Sequence, residues 1–360
     1  MRRTKILFVA TSCLLVAPGL HAQELSTPPE RFSVTQLTLP GVEGPIVPID
    51  LNDQGQIVLL RTGGGFPSRS FLWEDGEATN LFRFGSGFVR HEASGINEDG
   101  VISGSSWGNG FPAAAWQWSD GSFTAVGTLG GGNSTAFGLN ENGKQTGWSY
   151  PPGPNFFAYI WDGADSVNLG TLPGGNWSNG DRINDLDQVA GYGTSTFSRE
   201  PHAAIAEVET GMHSLGTLGG LRSQPLAINN AGQIIGSAHT GAEANGFWLQ
   251  RAFVWKAGVM TELSPLEGDL QSFGWDINEA GLVVGESRPG TAFEGRAVQW
   301  VGRRVVDLND RIPPGSGWLL TRARAVNDSG WILGEGLLGG EPATFLLTPA
   351  AGGMSGSEVR

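Results

Sequence analysis

One short motif occurs seven times along this 360-residue chain, and the repetition constrains the fold more than any other feature. Each copy has an aliphatic residue, an asparagine, two or three polar residues that usually end in glycine, and then an apolar stretch. Successive asparagines lie 45, 43, 44, 45, 49 and 49 residues apart, which is too regular for chance. The seven asparagines are Asn52, Asn97, Asn140, Asn184, Asn229, Asn278 and Asn327.

Two further segments recur in the same phase. An aromatic segment follows most of the asparagines, as in FLWEDG at 71–76 and YIWDG at 159–163. A leucine-rich segment that ends in glycine comes next, as in LGTLGG at 215–220. The N-terminal TQLTLPG at 35–41 supplies the leucine segment that the last unit lacks. Each unit therefore contains four short strands separated by turns, and no stretch shows a sustained helical period.

Units of about 45 residues with four strands each predict an all-β fold, a seven-bladed β-propeller. The Asn and Asp-Gly turns would lie on one face, here called the turn face, and the longer connections on the other, the long-loop face. We expect the first strand, at 32–39, to complete the last blade, so that the N- and C-terminal strands close the ring. We expect the glycine-rich loop to cross from the outer strand of one blade to the inner strand of the next. The alternative crossover is the loop that follows the apolar strand after the asparagine.

The first residues predict a secretory signal peptide. A basic start precedes an apolar run, Ile6–Val16, and small or turn-forming residues follow up to Ala22. The run is too short to span a bilayer. A lipoprotein signal that uses Cys13 is the alternative, although the apolar run continues past that cysteine. We therefore expect a signal peptide at 1–22, a single propeller domain at 23–349, a disordered tail at 350–360, and a secreted or periplasmic protein.

Composition narrows the class of partner. Cys13 is the only cysteine, so an exported chain would rely on its hydrophobic core without disulfides. Removal of the three basic residues near the N-terminus would take the formal net charge from −13 to about −16. Such acidity argues against nucleic acid and anionic membranes, which favour basic proteins. We expect a monomer without a membrane span, and a glycan or an extracellular protein as the partner.

The tryptophans divide into two sets. One set repeats in register in the aromatic strands and is expected to pack between adjacent blades: Trp73, Trp118, Trp161, Trp255 and Trp300. The other aromatic residues do not repeat and fall in the long loops, where exposed rings on a rigid face would grip sugars or apolar ligand surfaces. The alternative is that they fold back over their own blades. The candidate ligand-binding residues are Trp107, Trp148, Tyr150, Trp177, Trp248 and Trp318.

Three catalytic motifs are coincidences of a glycine-rich chain. The G-x-S-x-G match at 104–108, the Walker-like 138–144 and the G-x-G-x-x-G match at 334–339 all lack the helix that each motif requires. No histidines stand at metal-ligand spacing, so we assign no catalytic residue, metal site or cofactor. The turn at 184–187 could hold calcium through oxygen ligands, but turn chemistry alone explains its residues.

The repeat resembles a known family. LGTLGGLRSQPLAINNAGQIIGSA at 215–238, together with the aromatic-Trp strands, looks like the bacterial extracellular repeat named HAF after its His-Ala-Phe tripeptide. The resemblance covers about residues 32–349 and is weak in the first and last units. The tripeptide itself is imperfect, with Pro201-His202-Ala203-Ala204 the nearest match. The resemblance implies an extracytoplasmic propeller and no assigned activity.

Three functions stay open at this point. The first is an exported, non-catalytic binding or scaffold module that recognises a glycan or protein on the long-loop face. The second is a polysaccharide hydrolase or lyase that uses two carboxylates of the same face as acid and base. The third is a structural envelope protein. An aromatic platform would favour binding, and paired inward carboxylates would favour the enzyme, because fold alone decides neither.

Overall fold

The computed structural model describes residues 31–350, except 43, 64–67, 82–89, 109, 197–199, 245 and 291–294. The predicted signal peptide and nearly all of the predicted tail lie outside the described residues. The described chain holds 28 strands, numbered β1 to β28 in chain order, and one 3₁₀ helix, Leu308–Arg311. None of its helices has the length and hydrophobicity that a membrane span requires.

Antiparallel pairing sorts the described strands into seven units of four, in the order inner, second, third and outer strand. The inner strands are β2 (Ile46–Leu51), β6 (Arg90–Ile96), β10 (Ser134–Leu139), β14 (Ser178–Ile183), β18 (Gly219–Ile228), β22 (Gln271–Ile277) and β26 (Trp318–Val326). The second strands are β3 (Ile57–Arg61), β7 (Ile102–Gly108), β11 (Gln145–Ser149), β15 (Val189–Gly193), β19 (Ile234–Ala244), β23 (Val283–Arg288) and β27 (Ile332–Leu338).

The remaining strands complete units 1 to 7. The third strands are β4 (Arg69–Glu74), β8 (Phe111–Ser119), β12 (Phe157–Trp161), β16 (His202–Glu207), β20 (Phe247–Lys256), β24 (Arg296–Val301) and β28 (Glu341–Pro349). The outer strands are β5 (Glu77–Asn80), β9 (Ser122–Ala125), β13 (Ser166–Asn168), β17 (Gly211–Gly216), β21 (Val259–Leu263), β25 (Arg304–Asp307) and, for unit 7, β1 (Phe32–Leu37). The fold is an all-β propeller, and seven remains the number of blades that the sequence predicts.

The two ends of the chain meet in unit 7. Strand β1 pairs antiparallel with β28, from Phe32 opposite Pro349 to Leu37 opposite Thr344. Phe32, Leu37 and Leu39 are buried, so the segment contributes apolar contacts as well as backbone hydrogen bonds. The predicted closure of the ring by the terminal strands is confirmed. The glycine-rich loop is also confirmed as the crossover in the units whose connections are described, because it leads from the outer strand to the inner strand of the next unit. The connection between β5 and β6, at 82–89, lies outside the described residues.

A closed ring of asparagine hydrogen bonds joins the units on the turn face. The side-chain Nδ2 of each motif asparagine donates to the main-chain oxygen of the next one, at 3.0–3.3 Å, and Asn327 returns to Asn52. Each Oδ1 also accepts from the N–H four residues on, which closes its own turn. All seven side chains are buried. The asparagine ring therefore provides hydrogen-bond partners for buried backbone groups at the ends of the inner strands, and it links each unit to its neighbour.

The repeated tryptophans pack against the preceding unit, as predicted. Trp161 lies in one cluster with Ala115 and Val126 of unit 2. Trp300 is fully buried between units 5 and 6, and its Nε1 donates to the oxygen of Ser264 at 2.9 Å. Flat sheets arranged around an axis would leave a wedge-shaped gap between neighbours. Each tryptophan ring therefore fills one such gap.

The glycine that ends the apolar strand in most copies of the motif lets the second strand approach the inner strand closely. A Cβ on Gly147 or Gly236 would collide with the main-chain oxygen of the inner strand, at Thr135 and Gln224 respectively. The second strand therefore lies directly against the inner strand only because no side chain intervenes.

Each inner strand also carries a β-bulge three residues before its asparagine. A bulge leaves one residue unpaired and re-aims its side chain. The bulged residues are Ile49, Ser94, Phe137, Asp181, Leu226, Trp275 and Arg324.

Candidate functional site

Five aromatic rings form a continuous cluster on the long-loop face of units 3 and 4. Trp148 lies 5.4 Å from Phe156, which lies 5.5 Å from Trp177, which lies 5.7 Å from Tyr192, between ring centroids. Tyr150 contacts both Trp148 and Phe156, at 5.7 and 5.8 Å. All five side chains are half-buried, so each keeps part of its surface open to solvent. We call this set the aromatic cluster.

The strands of two neighbouring units position these rings. Trp148 lies in β11 opposite Thr135, and Tyr192 lies in β15 opposite Asn179, which is the same place in two consecutive units. Trp177 immediately precedes inner strand β14. Tyr150 and Phe156 lie at the two ends of the loop between β11 and β12. Because all five rings lie in strands or directly beside them and pack on one another, little ordering is needed on binding.

A cavity of about 310 Å³ adjoins the cluster between units 4 and 5. Tyr192 forms one wall, and polar side chains form most of the rest, among them Arg222, Gln224, His239 and Gln250. Trp248 stacks on His239 from the outer side, with centroids 6.3 Å apart and planes 13° apart. The cavity therefore combines an aromatic edge with several hydrogen-bonding groups, as small-molecule and sugar sites do.

Two polar side chains lie near Tyr192: Asn179, which is buried, and Asp181, which is half-buried. Asn179 donates to Asp181 Oδ1 at 2.7 Å, whereas the other oxygen of Asp181 and the amide oxygen of Asn179 have no hydrogen-bond partner. Burial raises the pKa of Asp181 to about 7, opposed by the positive charge of Arg182 and by the bond from Asn179. Asp181 therefore keeps a proton in a large fraction of molecules near neutral pH.

Tyr192 and His239 are also perturbed, in opposite senses. Burial, followed by the charge of Asp181, raises the pKa of Tyr192 to about 12. Burial, followed by the charge of Arg222, lowers the pKa of His239, so its imidazole is neutral at physiological pH. Glu200 opposes this second effect and forms an ion pair with Arg222. Perturbed groups gathered at one cavity are a mark of functional sites.

The other predicted ligand-binding residues lie apart from the aromatic cluster. Trp107 is in unit 2, opposite Arg90. Trp318 packs edge-on against Phe345 in unit 7 and joins the core there, as the alternative of folding back predicts. Trp248 belongs to the adjoining cavity. The structure therefore brings together Trp148, Tyr150 and Trp177, and separates the rest.

Sequence reasoning missed most of the polar residues of this site. Asp181, Asn179 and His239 belong to no motif, and no regular spacing distinguishes them. A signal was available for another set of serines, which recur 44, 45 and 49 residues apart in phase with the asparagines. Their Oγ atoms accept from backbone N–H groups of the preceding unit and so form a second set of clasps: Ser134, Ser178, Ser223 and Ser272.

Three inner strands carry a charged residue two positions before the asparagine: Asp50, Arg182 and Asp276. Asp50 accepts from the N–H of Ile96 at 3.1 Å, and Asp276 accepts from the N–H of Val326 at 2.8 Å, each in the next unit. Burial raises the pKa of Asp50 to about 6 and of Asp276 to about 7, partly offset by Arg182. Both carboxylates therefore link neighbouring units through hydrogen bonds, and burial disfavours their charged form.

Acidic residues follow most of the asparagines on the turn face. The residue after each asparagine is acidic in six units, and most accept the backbone N–H of the preceding unit's turn, as Glu98 does from Asp53. Burial, followed by the charges of Glu98 and Asp185, raises the pKa of Glu141 to about 7. No three metal-binding side chains come together in the described part of the chain. In the turn at 184–187, Asp187 is paired with Lys144 at 2.6 Å.

The G-x-S-x-G match at 104–108 lies in strand β7. Ser105 is buried and accepts from the N–H of Ala136 in the next unit at 2.8 Å. Ser106 lies 2.8 Å from His91 Nδ1, the geometry of a nucleophile and its base, but both side chains are only 2% exposed. A substrate cannot reach them, so these residues hold sheets together.

Comparison with known proteins gives the fold and no family. No family model matches the chain, and no curated protein matches it in sequence. Among solved structures, an oligogalacturonate lyase from Vibrio parahaemolyticus aligns with a TM-score of 0.55 at 10% identity, over 89% of this chain and 98% of that one. YCF48 bound to D1 peptide aligns with a TM-score of 0.51 at 11% identity, over 90% and 97%.

Two peptidase structures also align. A Mycobacterium tuberculosis puromycin-hydrolyzing peptidase gives a TM-score of 0.54 at 13% identity, over 90% of this chain and 55% of that one. A prolyl endopeptidase gives 0.54 at 12%, over 89% and 51%. The chain spans about half the length of these two enzymes. At such identities the likeness shows the propeller fold alone.

Proposed function

We propose that the protein is an exported, non-catalytic binding module that recognises a carbohydrate chain on its long-loop face. The observation that carries this proposal is the aromatic cluster, five half-exposed rings that contact one another across two neighbouring units. Aromatic rings offer sugars an apolar surface, and nearby polar groups fix the orientation of the hydroxyls. The adjoining cavity supplies such groups in Gln224, His239 and Gln250.

The predicted signal peptide supports an exported protein, secreted or periplasmic, and the HAF-like repeat points to the same compartment. Proteins of this fold include one that acts on a carbohydrate, the oligogalacturonate lyase, and one bound to a peptide, YCF48. A glycan is favoured over a peptide for this chain because half-exposed aromatic rings lie beside side chains that can bind hydroxyl groups.

The test is a glycan-array screen of the purified protein, repeated with two variants. Trp177→Ala removes the ring at the centre of the aromatic cluster, and Trp107→Ala removes a half-buried ring of the same face outside it. We expect a reproducible glycan signal that Trp177→Ala abolishes and Trp107→Ala retains. A blank array for the wild-type protein would reject carbohydrate recognition and leave a protein partner or a structural role.

A second candidate function, cleavage of an acidic polysaccharide, is favoured by His239, which lines the cavity and whose pKa is lowered by burial. A neutral imidazole suits a general base. In a β-elimination, it would take the proton beside the sugar carboxyl, the glycosidic bond would break, and the leaving oxygen would take a proton from water. Two carboxylates are not needed for this chemistry.

This candidate is tested by incubating the protein with oligogalacturonate and following the ultraviolet absorbance of the unsaturated product. Turnover that is lost in His239→Ala and retained in His213→Ala, a histidine of the turn face, would support the enzyme. No turnover over a range of pH from 5 to 9 would reject it while leaving binding intact.

A further inference from the structure

Units 6 and 7 carry a charged set of side chains at the strand positions where units 3 and 4 carry aromatic rings. Glu286 and Glu335 occupy the second-strand position that Trp148 and Tyr192 occupy in the aromatic cluster. The repeat therefore presents two different chemistries on one face. Nothing in the proposed carbohydrate site uses the charged side.

Three arginines share these two glutamates. Arg288 Nη2 lies 2.6 Å from Glu286 Oε1, and Arg322 Nε lies 3.2 Å from its other oxygen. Arg322 Nη1 and Arg324 Nε both lie 3.0 Å from Glu335 Oε2. We call these five residues the basic cluster. With three arginines and two glutamates, it carries one net positive charge.

That excess charge is partly removed from water. The arginine side chains are 15–24% exposed and Glu286 is 1% exposed. Arg288 Nε is buried and has no acceptor, and Arg322 Nε is near Glu286 without the alignment of a hydrogen bond. A half-buried cation with unused donors is costly unless an anion pairs with it. In a chain of formal net charge −13, the cluster is a local exception.

Aromatic rings hold the guanidinium groups in place. Arg322 and Arg324 lie over Trp275, 5.4 and 4.6 Å from the ring, and Arg288 lies 4.6 Å from the Phe273 ring. Trp275 is the bulged residue of unit 6. Stacking fixes the plane of each fork, so the donors are pre-organised for a planar, two-oxygen partner and need little ordering on binding.

The basic cluster also borders open space. Glu335 lines a cavity of about 220 Å³ between units 7 and 1, with Val47 and Thr344 among the other walls. The cavity therefore reaches the carboxylate that Arg322 and Arg324 share.

We infer that the basic cluster is a binding site for one carboxylate group of a ligand. A carboxylate carries the single negative charge that balances the excess, and its two oxygens match an arginine fork. Phosphate fits less well because it carries more than one charge near neutral pH. The inference is independent of the carbohydrate site: it holds for a free organic acid, and equally for a chain that bears carboxylates.

The test is isothermal titration of the purified protein with acetate, glucuronate and inorganic phosphate in a buffer without other carboxylates. Three variants accompany the wild type: Arg324→Gln, Glu335→Gln and, as a control, the exposed Arg304→Gln. Melting temperatures establish that each variant is folded. The three ligands separate a carboxylate from a general anion, and a small acid from a sugar acid.

We expect both carboxylates to bind and phosphate to bind more weakly. Arg324→Gln should weaken carboxylate binding by about tenfold, because a charged hydrogen bond is lost. Glu335→Gln should tighten it by a similar factor, because a competing carboxylate is removed, and Arg304→Gln should change nothing. A merely structural cluster would not bind more tightly without Glu335. Absence of heat with all three ligands, or equal affinity in Arg324→Gln and Glu335→Gln, would overturn the inference.

Discussion

The two faces of this propeller are built from the same units and differ in how closely they follow the repeat. On the turn face, one residue type makes the same two hydrogen bonds seven times, from Asn52 round to Asn327 and back. On the long-loop face, a single strand position holds Trp148, Tyr192 or Glu286 according to the unit. The regular face stabilises the ring, and the irregular face carries the candidate sites.

This division follows from what each face must satisfy. Every inner strand ends beside its neighbour and needs the same partner for its buried backbone groups, so the sequence there can hardly vary. The long-loop face has no such demand once the strands are paired. Departures from the repeat, such as Asp181 or Arg324 at a bulge, therefore indicate function more strongly than the repeat itself does.

The largest effect is expected at the closure of the ring. Deleting residues 23–40 removes β1, whose buried side chains are Phe32 and Leu37, together with Leu39 beyond it. Three such apolar groups contribute about 5 kcal/mol or more to the free energy of unfolding, and an open sheet edge would remain. Thermal melting of this deletion should therefore show a severe loss or no folded protein. Deleting 350–360 is the control, and equal melting temperatures for the two truncations would contradict the closure argument.

The next effect is expected in the asparagine ring. Asn140→Ala leaves the N–H of Lys144 without its acceptor and removes one of the two donors to the main-chain oxygen of Asn184, which keeps the N–H of Asp187. An unsatisfied donor and a lost hydrogen bond together cost about 2–4 kcal/mol, which urea unfolding would measure. Asn142→Ala, in the same turn but exposed, should cost less than about 0.5 kcal/mol. Similar values for the two variants would mean that the ring contributes little to stability.

The long-loop face should respond in the opposite way. Trp177→Ala should weaken glycan binding about tenfold or more, since an aromatic contact and its apolar area are lost. The free energy of unfolding should change less than in Asn140→Ala, because the Trp177 ring is only half-buried, although it contacts Phe156 of unit 3 and Tyr192 of unit 4. Binding is measured by titration with the glycan that the array identifies. Trp107→Ala is the matched control, and an equal loss of affinity in both variants would remove the aromatic cluster as the site.

The smallest effect is expected from pH. The pKa values of Asp50, Asp181 and Asp276 are raised by burial in the folded state, so each contributes stability that is fully present below pH 4 and is lost as pH rises through 6–7. The melting temperature should therefore fall by about 5 °C between pH 5 and pH 8.

A substitution sharpens this prediction. Asp276→Asn keeps an acceptor for the N–H of Val326 and cannot ionise. The melting temperature of this variant should therefore fall less between pH 5 and pH 8 than that of the wild type. The exposed Glu77→Gln should leave the decline unchanged. A melting temperature that rises between pH 5 and pH 8 would show that these carboxylates are stabilised as anions.

The sequence predicts the architecture well because the architecture repeats. Seven copies of one asparagine turn mark the ends of the inner strands, and the phase of Trp161 and Trp300 predicts that both rings are buried between units. The same sequence predicts the candidate site only in part. Trp148, Tyr150 and Trp177 were identifiable as aromatic residues outside the repeat, but their contacts depend on which loops lie side by side.

The polar residues of the candidate sites could not be predicted from the sequence, for a physical reason. Asp181 becomes a candidate because its charge reaches Tyr192 from the bulge of β14, and His239 because the β19–β20 hairpin brings Trp248 onto its ring. Likewise, Arg322 and Arg324 meet over Trp275, and Arg288 joins them through Glu286, which no spacing along the chain indicates. Contacts between units are properties of the closed ring, and single units do not encode them.

The most direct test of the division between faces measures stability and glycan affinity on the same two variants. The account predicts that Asn140→Ala lowers the melting temperature and leaves affinity unchanged at a temperature where it is folded. It predicts that Trp177→Ala lowers affinity about tenfold or more and leaves the melting temperature close to that of the wild type. If Trp177→Ala instead loses stability while the glycan binds as before, the aromatic cluster is packing and the long-loop face has no binding role there.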